Sequence, residues 1–158
     1  MVAVIQLITS DGGVFYVGEN VAKLSKTISD IIDDIEIEGV EDPIPIPNVS
    51  KDVLDVVLNW CQFSSEGHTG NEVEEFETRF FGVDSKRLLE IVSAANFLNI
   101  PDLLDKACSA VADLLRGKSP DEIRAVLGIE GEYSKEEKEA VMKENRWAFP
   151  ETRVYYDR

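Results

Sequence analysis

The sequence predicts an α/β domain followed by a short helical tail. In the amino-terminal part, two apolar segments at residues 2–8 and 14–17 flank the turn sequence Asp11-Gly12-Gly13, a pattern typical of a β-hairpin. From Ser50 onward, apolar residues recur at helical spacing instead. Strands early in the chain and a succession of helices after them indicate the α/β class.

The segment after the hairpin combines helix and loop signals. A short helix is predicted near Val21 and Ala22. A second helix is predicted at residues 25–32, where isoleucines recur at helical spacing. Residues 30–42 hold seven acidic side chains and no basic one. Because like charges repel one another and stay hydrated, a mobile acidic loop is expected near residues 34–42.

Alternate prolines mark the next element, Pro43-Ile44-Pro45-Ile46-Pro47. Proline lacks the amide that a helix or a central strand needs, so this segment is predicted to be an edge strand or an extended stretch with its isoleucines on one side. Ser50 is a candidate cap for the following helix. That helix has one apolar face, formed by Val53, Leu54, Val57, Leu58 and Cys61.

Residues 64–75 are polar, acidic and glycine-containing, which favours a mobile surface loop. Two helices with apolar stripes are predicted after this loop. The first stripe consists of Leu88, Ile91, Val92 and Ala95, and its helix ends at Asn99-Ile100-Pro101. The second stripe consists of Leu104, Cys108, Val111 and Leu115, and its helix ends at Gly117.

Two capping signatures define the carboxyl-terminal part. Ser119 is a candidate N-cap, Pro120 suits the first helical position, and Glu122 stands where it completes a capping box. Ser134 and Glu137 form a second box. The apolar residues of these two short helices are too many to be buried between the helices alone. We therefore expect them to complete a binding surface.

Charge limits the classes of partner. Of the 158 residues, 31 are acidic and 16 are basic, which gives a formal net charge of −15. Such a surface repels phosphate backbones and anionic membranes, so neither nucleic acid nor a membrane is an expected partner. The charge is explained equally well by solubility and by steering toward basic partners. The sequence also lacks a membrane-length apolar stretch and the pattern of a signal peptide.

Residues for catalysis or cofactor binding are scarce. The one histidine, His68, lies in the polar loop, whereas cysteine or serine nucleophiles usually need a histidine base. Cys61 and Cys108 are expected to be buried free thiols, which suits a reducing compartment. Zinc-ligand spacing, a calcium loop and a phosphate-binding glycine loop are missing. No enzyme activity, metal or cofactor is therefore expected.

Four segments, in one register between about Ile5 and Trp147, together resemble the S-phase-kinase-associated adaptor family. They are residues 42–49 (DPIPIPNV), 94–100 (AANFLNI), 117–124 (GKSPDEIR) and 144–147 (ENRW). Members of that family link F-box proteins to the cullin of an SCF ubiquitin ligase. The resemblance implies a BTB/POZ-like domain, with a small sheet plus helices, at residues 1–116. It also implies two F-box-binding helices at 117–148, followed by a tail at 149–158.

The resemblance also assigns site residues. In the family, the last helices interleave with those of the F-box, and a separate surface on the BTB-like domain binds the cullin. The positions implied for F-box binding are Leu104, Cys108, Val111, Leu115, Ile123, Leu127, Ile129, Tyr133, Val141, Glu144, Asn145 and Trp147. The positions implied for cullin binding are Asn96 and Phe97, with Ile46 and Pro47 as weaker candidates. Packing against the first domain is the competing interpretation for the apolar members.

Some features depart from the family pattern. Phe76-Glu77 replaces a Trp-Asp pair, Phe97 stands where tyrosine is usual, and the chain continues past Trp147 to Arg158. These differences indicate a divergent paralogue, and they leave its choice of cullin and F-box proteins open.

The sequence therefore predicts a non-enzymatic adaptor of the cytoplasm and nucleus that joins F-box receptors to a cullin. The alternative is a structural or homodimeric assembly protein of chromosomal or kinetochore type, which uses the same face without a cullin. A substrate adaptor like elongin C is disfavoured because the helices after Gly117 exceed a minimal BTB domain. A hydrolase is the remaining and weakest alternative. Without an F-box partner, the exposed apolar face is expected to form a homodimer.

Overall fold

The structure, a computed structural model, describes residues 4–38, 43–131 and 134–148, and the side chains of residues 35–38 and 148 lie outside the description. The chain divides into two compact units at the end of its sixth helix. The first unit runs to Leu114 and the second begins at Leu115. The predicted site residue Tyr133 and the predicted tail at residues 149–158 lie outside the described residues.

Strands come first along the chain and helices follow, with one strand between the second and third helices. The strands are β1 (Val4–Thr9), β2 (Val14–Gly18) and β3 (Ile44–Ile46). The helices of the first unit are α1 (Glu19–Ala22), α2 (Lys26–Glu38), α3 (Lys51–Ser65), α4 (Asn71–Phe81), α5 (Ser85–Phe97) and α6 (Pro101–Leu115), the last of which ends at the boundary. The second unit contains α7 (Pro120–Val126), α8 (Lys135–Glu144) and a short 3-10 helix, Arg146–Ala148.

The three strands form one sheet in the order β2-β1-β3. β1 and β2 pair as the predicted antiparallel hairpin, with Leu7 opposite Phe15, and β3 runs parallel to β1 with Ile46 opposite Thr9. β3 lies at the edge, as its prolines predict, because their missing amides leave no ladder donor. Ile44 and Ile46 both point into the core, whereas Pro45 between them is exposed. The predicted alternation is confirmed.

The hairpin turn also caps α3. Thr9 Oγ1 donates to Asp11 Oδ1 at 2.5 Å and accepts from the amide of Gly13 at 2.8 Å. The Asp11 carboxylate then accepts from the amide of Lys51 at 2.9 Å. Ser50 occupies the N-cap position, but its side chain makes no cap hydrogen bond. The prediction that the Ser50 side chain caps this helix is therefore wrong, since Asp11 supplies the acceptor.

Gly13 is required by this turn. A Cβ atom at this position would lie 2.7 Å from Thr9 Oγ1 and 2.8 Å from the Lys51 side chain, inside van der Waals contact. The hydrogen bond from Thr9 is the main cause that lowers the pKa of the Asp11 carboxyl below its usual 3.8. The carboxylate form is therefore favoured where it accepts the helix amide.

The core lies between the sheet and the helices α3 and α5. α3 contributes the predicted Leu54 and Val57, and α5 contributes the predicted Leu88 and Ile91, all of which are buried. α5 begins at the Asp84 cap, whose carboxylate accepts from the amide of Arg87 at 2.7 Å. The packing of α5 against α3 fixes the position of its carboxyl end, where Asn96 is exposed.

Two predicted loops are shorter than expected. α3 continues to Ser65 and α4 begins at Asn71, so most of the predicted loop at 64–75 is helical or a tight turn. The predicted loop at 34–42 likewise begins inside α2, which continues to Glu38, and residues 39–42 lie outside the description. At residues 64–75 the acidic composition indicated solvation correctly, since most of these residues are exposed, but exposed helix faces are also acidic.

Packing of aromatic rings explains why α4 is a helix. The Phe63 and Phe76 rings stack with centroids 3.8 Å apart, and Trp60 contacts Phe80 at 5.2 Å. Phe76 and Phe80 are four residues apart, so both rings lie on the side of α4 that faces α3. Offset and tilted aromatic contacts of this kind stabilise the pairing of the two helices.

The core face of α6 is turned by one residue from the prediction. Leu103 and Ala107 are fully buried, while Leu104 is half-buried and Cys108 is exposed. The expectation that both cysteines are buried is therefore wrong for Cys108 and confirmed for Cys61. Because the predicted stripe of α6 lies beside the core rather than inside it, part of its surface is open.

Candidate functional site

The predicted F-box residues on α6 form one stripe along the helix. Leu104, Cys108, Val111 and Leu115 recur at intervals of three and four residues, which places them on one face. Leu104 packs against the edge of the core, Val111 and Leu115 are half-buried, and Cys108 is exposed. The stripe is thus an apolar surface that is only partly covered by the rest of the chain.

α7 begins and ends with well-formed caps. The amide of Glu122 donates to Ser119 Oγ at 3.3 Å, and Glu122 Oε2 accepts from the amide of Ser119 at 2.7 Å. This return bond is the main cause that lowers the pKa of the Glu122 carboxyl. The helix ends at Val126, and Gly128 beyond its cap has a φ of 66°, which lets the amide of Ile129 donate back to the carbonyl of Arg124 at 2.9 Å. The predicted capping box is confirmed.

The apolar residues of α7 are not enclosed. Ile123 and Leu127 are half-buried, and no residue of the helix is fully buried. Ile129, directly after the helix, is 50% exposed. A helix of seven residues is too short to be stable by itself in water, so its caps and its packing must hold it in place.

α8 repeats this plan. The amide of Glu137 donates to Ser134 Oγ at 3.2 Å, and the Glu137 carboxylate accepts from the amide of Ser134 at 2.8 Å. Lys138 on α8 lies 3.6 Å from Asp121 on α7, an ion pair that links the two helices. The second predicted capping box is also confirmed. Together the caps and the ion pair define how the apolar residues of this unit are presented.

Trp147 is the most exposed of the large apolar residues described in this unit. Its side chain is 84% exposed, and Val141 on α8 is 47% exposed. Between them Glu144 is exposed, and Asn145 is half-buried and closes α8 by donating from Nδ2 to the carbonyl of Val141 at 2.8 Å. A tryptophan with so little burial is not a core residue of the isolated chain. Tryptophan is also among the residue types most enriched in interface hot spots.

The predicted cullin residues of α5 lie at its carboxyl end. Asn96 is exposed, and Phe97 is half-buried with its ring packed against the core. Helical geometry alone predicts a more exposed Phe97, because it lies half-way round the helix from the buried Ala95. The ring is therefore only partly accessible to a partner.

The weaker cullin candidates differ from each other. Ile46 is 1% exposed, so its assignment as a contact residue is corrected: the side chain belongs to the hydrophobic core. Pro47 is exposed. Asn48, the next residue, lines a groove of about 500 Å³ together with Ser93 and Ala94 of α5. Neither Pro47 nor Asn96 is among the residues that line this groove.

Two observations concern the side chains that catalysis or metal binding would use. Burial raises the pKa of the Cys61 thiol to about 12, so a nucleophilic thiolate is disfavoured there. Within residues 4–38, 43–131 and 134–148, no three His, Cys, Asp or Glu side chains are grouped to hold a metal ion. In the same ranges, no helix has the length and apolar character needed to span a membrane.

Sequence reasoning missed two residues that support the end of α5, Ser25 and Thr27 of the α2 start. Their hydroxyl groups donate to the carbonyls of Leu98 at 2.6 Å and Phe97 at 3.0 Å. The local signal was a serine before a helical pattern, which predicts an N-cap but cannot show that the same hydroxyl reaches a carbonyl distant in sequence.

Two family models match the chain. The Skp1 family tetramerisation domain matches residues 3–66, and the Skp1 family dimerisation domain matches residues 101–148. The first match covers the sheet and the helices up to α3, and it identifies this unit as a POZ domain of BTB/POZ-like fold. The second covers α6, α7 and α8, so the carboxyl-terminal helices fit the dimerisation domain of that family.

Individual relatives align over nearly the whole chain. Suppressor of kinetochore protein 1 from Schizosaccharomyces pombe is 39% identical over 157 residues, which cover 91% of this chain and 96% of the relative. SKP1-like protein 13 from Arabidopsis thaliana is 40% identical over 156 residues, covering 94% and 99%. SKP1-like protein 11 from the same plant is 40% identical over 149 residues, covering 92% and 96%. The chain belongs to the Skp1 family.

Proposed function

We propose that this protein is a non-enzymatic adaptor that links F-box substrate receptors to a cullin scaffold in an SCF ubiquitin ligase. Membership of the Skp1 family supports an SCF adaptor role in general. The proposal for this chain goes further, since it assigns one partner to the carboxyl-terminal apolar residues and another to the end of α5.

The observation that carries the proposal is the exposure of large apolar side chains on or directly after helices that begin with complete capping boxes. Trp147, Ile129 and Val141 are each about half exposed or more. Both α7 and α8 have complete capping boxes, so their side chains are presented in a defined geometry. Exposed apolar residues on ordered helices are suited to receive the apolar faces of partner helices.

The proposed mechanism is placement rather than chemistry. An adaptor that binds a substrate receptor and a scaffold at the same time converts ubiquitin transfer into an effectively intramolecular reaction. The adaptor itself needs no nucleophile, metal or cofactor for this role. We also propose that the protein acts in the cytoplasm and nucleus. Its two cysteines are unpaired, which suits these reducing compartments.

The test is affinity capture from cells followed by mass spectrometry, with the chain as bait. We expect F-box proteins and a cullin among the captured proteins. A bait carrying Asn96→Lys and Phe97→Lys should lose the cullin and retain the F-box proteins, because only the end of α5 is changed. Loss of both partners would indicate misfolding. Retention of both partners would show that the cullin does not bind at the end of α5.

A second candidate is a structural protein that uses the carboxyl-terminal helices for assembly without a cullin. One relative is named a suppressor of kinetochore protein, which keeps a chromosomal role under consideration. Capture of F-box proteins or kinetochore components with no cullin in any condition would favour this second function over the first.

A further inference from the structure

The carboxyl end of α5 is held by two hydroxyl groups from the start of α2. Ser25 Oγ donates to the carbonyl of Leu98 at 2.6 Å, and this bond is buried. Thr27 Oγ1 donates to the carbonyl of Phe97 at 3.0 Å. These bonds join residues that are 73 and 70 positions apart along the chain.

Backbone amides of α2 complete the contact. The amide of Lys26 donates to the carbonyl of Asn99 at 3.1 Å, and that of Thr27 donates to the carbonyl of Leu98 at 3.3 Å. The first amides of a helix have no partners within that helix, and the same holds for the last carbonyls. Here the unsatisfied groups of the two helix ends bind one another.

The last turn of α5 satisfies its remaining carbonyls internally. The amide of Ile100 donates to the carbonyl of Ala95 at 3.0 Å, and the amide of Asn99 donates to that of Asn96 at 3.2 Å. Asn99 has a φ of 50°, in the left-handed region, as this type of helix ending requires. The carbonyls that follow Asn96 are therefore the ones that depend on α2.

The charged residues at the end of α5 and at the start of α2 are consistent with direct contact between these two helix ends. The last turn of α5 has no basic residue, and the first turn of α2 has no acidic residue. Such side chains commonly offset the partial charges at helix ends. With neither present, the negative end of α5 and the positive end of α2 compensate each other directly.

We propose that Ser25 and Thr27 are positioning residues that set the geometry of the cullin-binding surface at Asn96 and Phe97. The inference rests on the proposed function, because it takes the end of α5 as the cullin contact. Thr27 binds the carbonyl of Phe97 itself, so its hydroxyl fixes the backbone of a predicted contact residue. A surface held in its binding geometry loses less conformational entropy when it binds.

Thr27→Val tests the inference because it removes the hydroxyl and keeps the shape of the side chain. Ser25 is buried, and its hydroxyl also accepts from the amide of Ile28, so a Ser25 variant risks unfolding. For Thr27→Val we expect the Kd for the captured cullin to rise about 3- to 10-fold, as for a lost hydrogen bond. The Kd for an F-box domain should change less than about twofold.

Two further variants make the result specific. Thr27→Ser keeps the hydroxyl and should restore wild-type affinity for the cullin. Ser109→Ala removes a similar bond, from Ser109 Oγ to the carbonyl of Asp105 at 2.9 Å on α6, and should leave cullin affinity unchanged. Binding of both partners is measured by calorimetry, and thermal melts accompany each variant.

The outcomes separate this inference from the proposed function. Wild-type cullin affinity in Thr27→Val would overturn the positioning role and leave the adaptor function intact. Equal loss of both partners, or a loss that Thr27→Ser does not restore, would overturn it in favour of a general effect on folding. A wild-type chain that binds no cullin would contradict the proposed function itself and would leave no cullin surface to position.

Discussion

At the scale of single residues, Trp147 most directly distinguishes a binding role from a structural one. We predict that Trp147→Ala weakens F-box binding by about 2–4 kcal/mol, the range of an interface hot spot. Because the ring is exposed in the isolated chain, the melting temperature should barely change. Calorimetry with an F-box domain measures the affinity, and a thermal melt measures the fold.

Tyr16 provides a matched control for Trp147. Its aromatic side chain is 72% exposed on β2, away from every predicted F-box residue in sequence. Tyr16→Ala should leave F-box affinity unchanged. Equal affinities for wild type and Trp147→Ala would contradict the assignment of Trp147, and a large loss of stability in that variant would return the ring to the core.

His68 gives a second prediction at this scale. One ring nitrogen lies 2.9 Å from Glu66 and the other 3.1 Å from Glu72, so both can donate only when the imidazole is protonated. The hydrogen bond to Glu66, followed by that to Glu72, raises the pKa of His68 above its usual 6.5. The contribution of this protonated histidine to the stability of the folded chain is therefore complete below pH 6.5 and is lost as the pH rises through the folded pKa.

An NMR titration of His68 measures this directly. We expect a pKa above 6.5, with a decrease in Glu66→Gln and in Glu72→Gln. A value at or below 6.5 in the wild-type chain would show that the two carboxylates do not hold the ring in solution. The stacked contact between His68 and Phe63, with centroids 4.2 Å apart, should loosen at the same pH at which the ring loses its proton.

At the scale of elements, capping decides where α3 begins. Asp11→Ala should lower the melting temperature, because the amide of Lys51 loses its carboxylate partner, whereas Ser50→Ala should have little effect. The pKa of the Asp11 carboxyl is lowered in the folded chain. Its contribution to stability is therefore complete above the pKa of the unfolded chain and is lost as the pH falls through the folded pKa. Thermal melts of both variants at neutral and acidic pH test this. Equal losses at neutral pH would contradict it.

The elements also show what can be predicted from sequence. The hairpin, β3 and the two capping boxes depend on residues a few positions apart, and each was predicted. The cap of α3 was not, because its acceptor Asp11 is 40 residues away from Lys51. The burial of Ile46 and the exposure of Cys108 depend on which face each element turns to the core, which the packing of the whole unit decides.

The missed helix α4 has a similar cause. Glycine and acidic residues before Phe76 are typical of loops, but the stacking of Phe76 on Phe63 comes from packing against α3. Of the described site residues carried over by family resemblance, all but Ile46 are half-buried or exposed. Their partners are proposals, since exposure alone does not identify what binds.

At the scale of the whole molecule, we predict a homodimer when no F-box protein is bound. The family model that matches residues 101–148 describes a dimerisation domain, and this range contains the exposed Ile129, Val141 and Trp147. Burying these side chains in a two-fold interface removes them from water. The net charge of −15 opposes association, so the dimer should tighten as salt screens the repulsion.

Sedimentation of the isolated chain at low and high salt, with and without an F-box domain, tests this prediction. The F-box domain should convert the dimer into a one-to-one complex, because both use the same residues. A chain that is monomeric at every concentration would contradict the prediction, as would a dimer that persists with the F-box bound.

The central claim is that one molecule of this protein binds both partners at once. The most direct measurement is capture of a purified cullin on an immobilised F-box protein, with the chain added in increasing amounts. We predict capture that depends on the chain, that is lost with the Asn96→Lys and Phe97→Lys pair, and that is weakened with Trp147→Ala. Cullin capture without the chain, or no capture at any concentration of wild-type chain, would contradict the account.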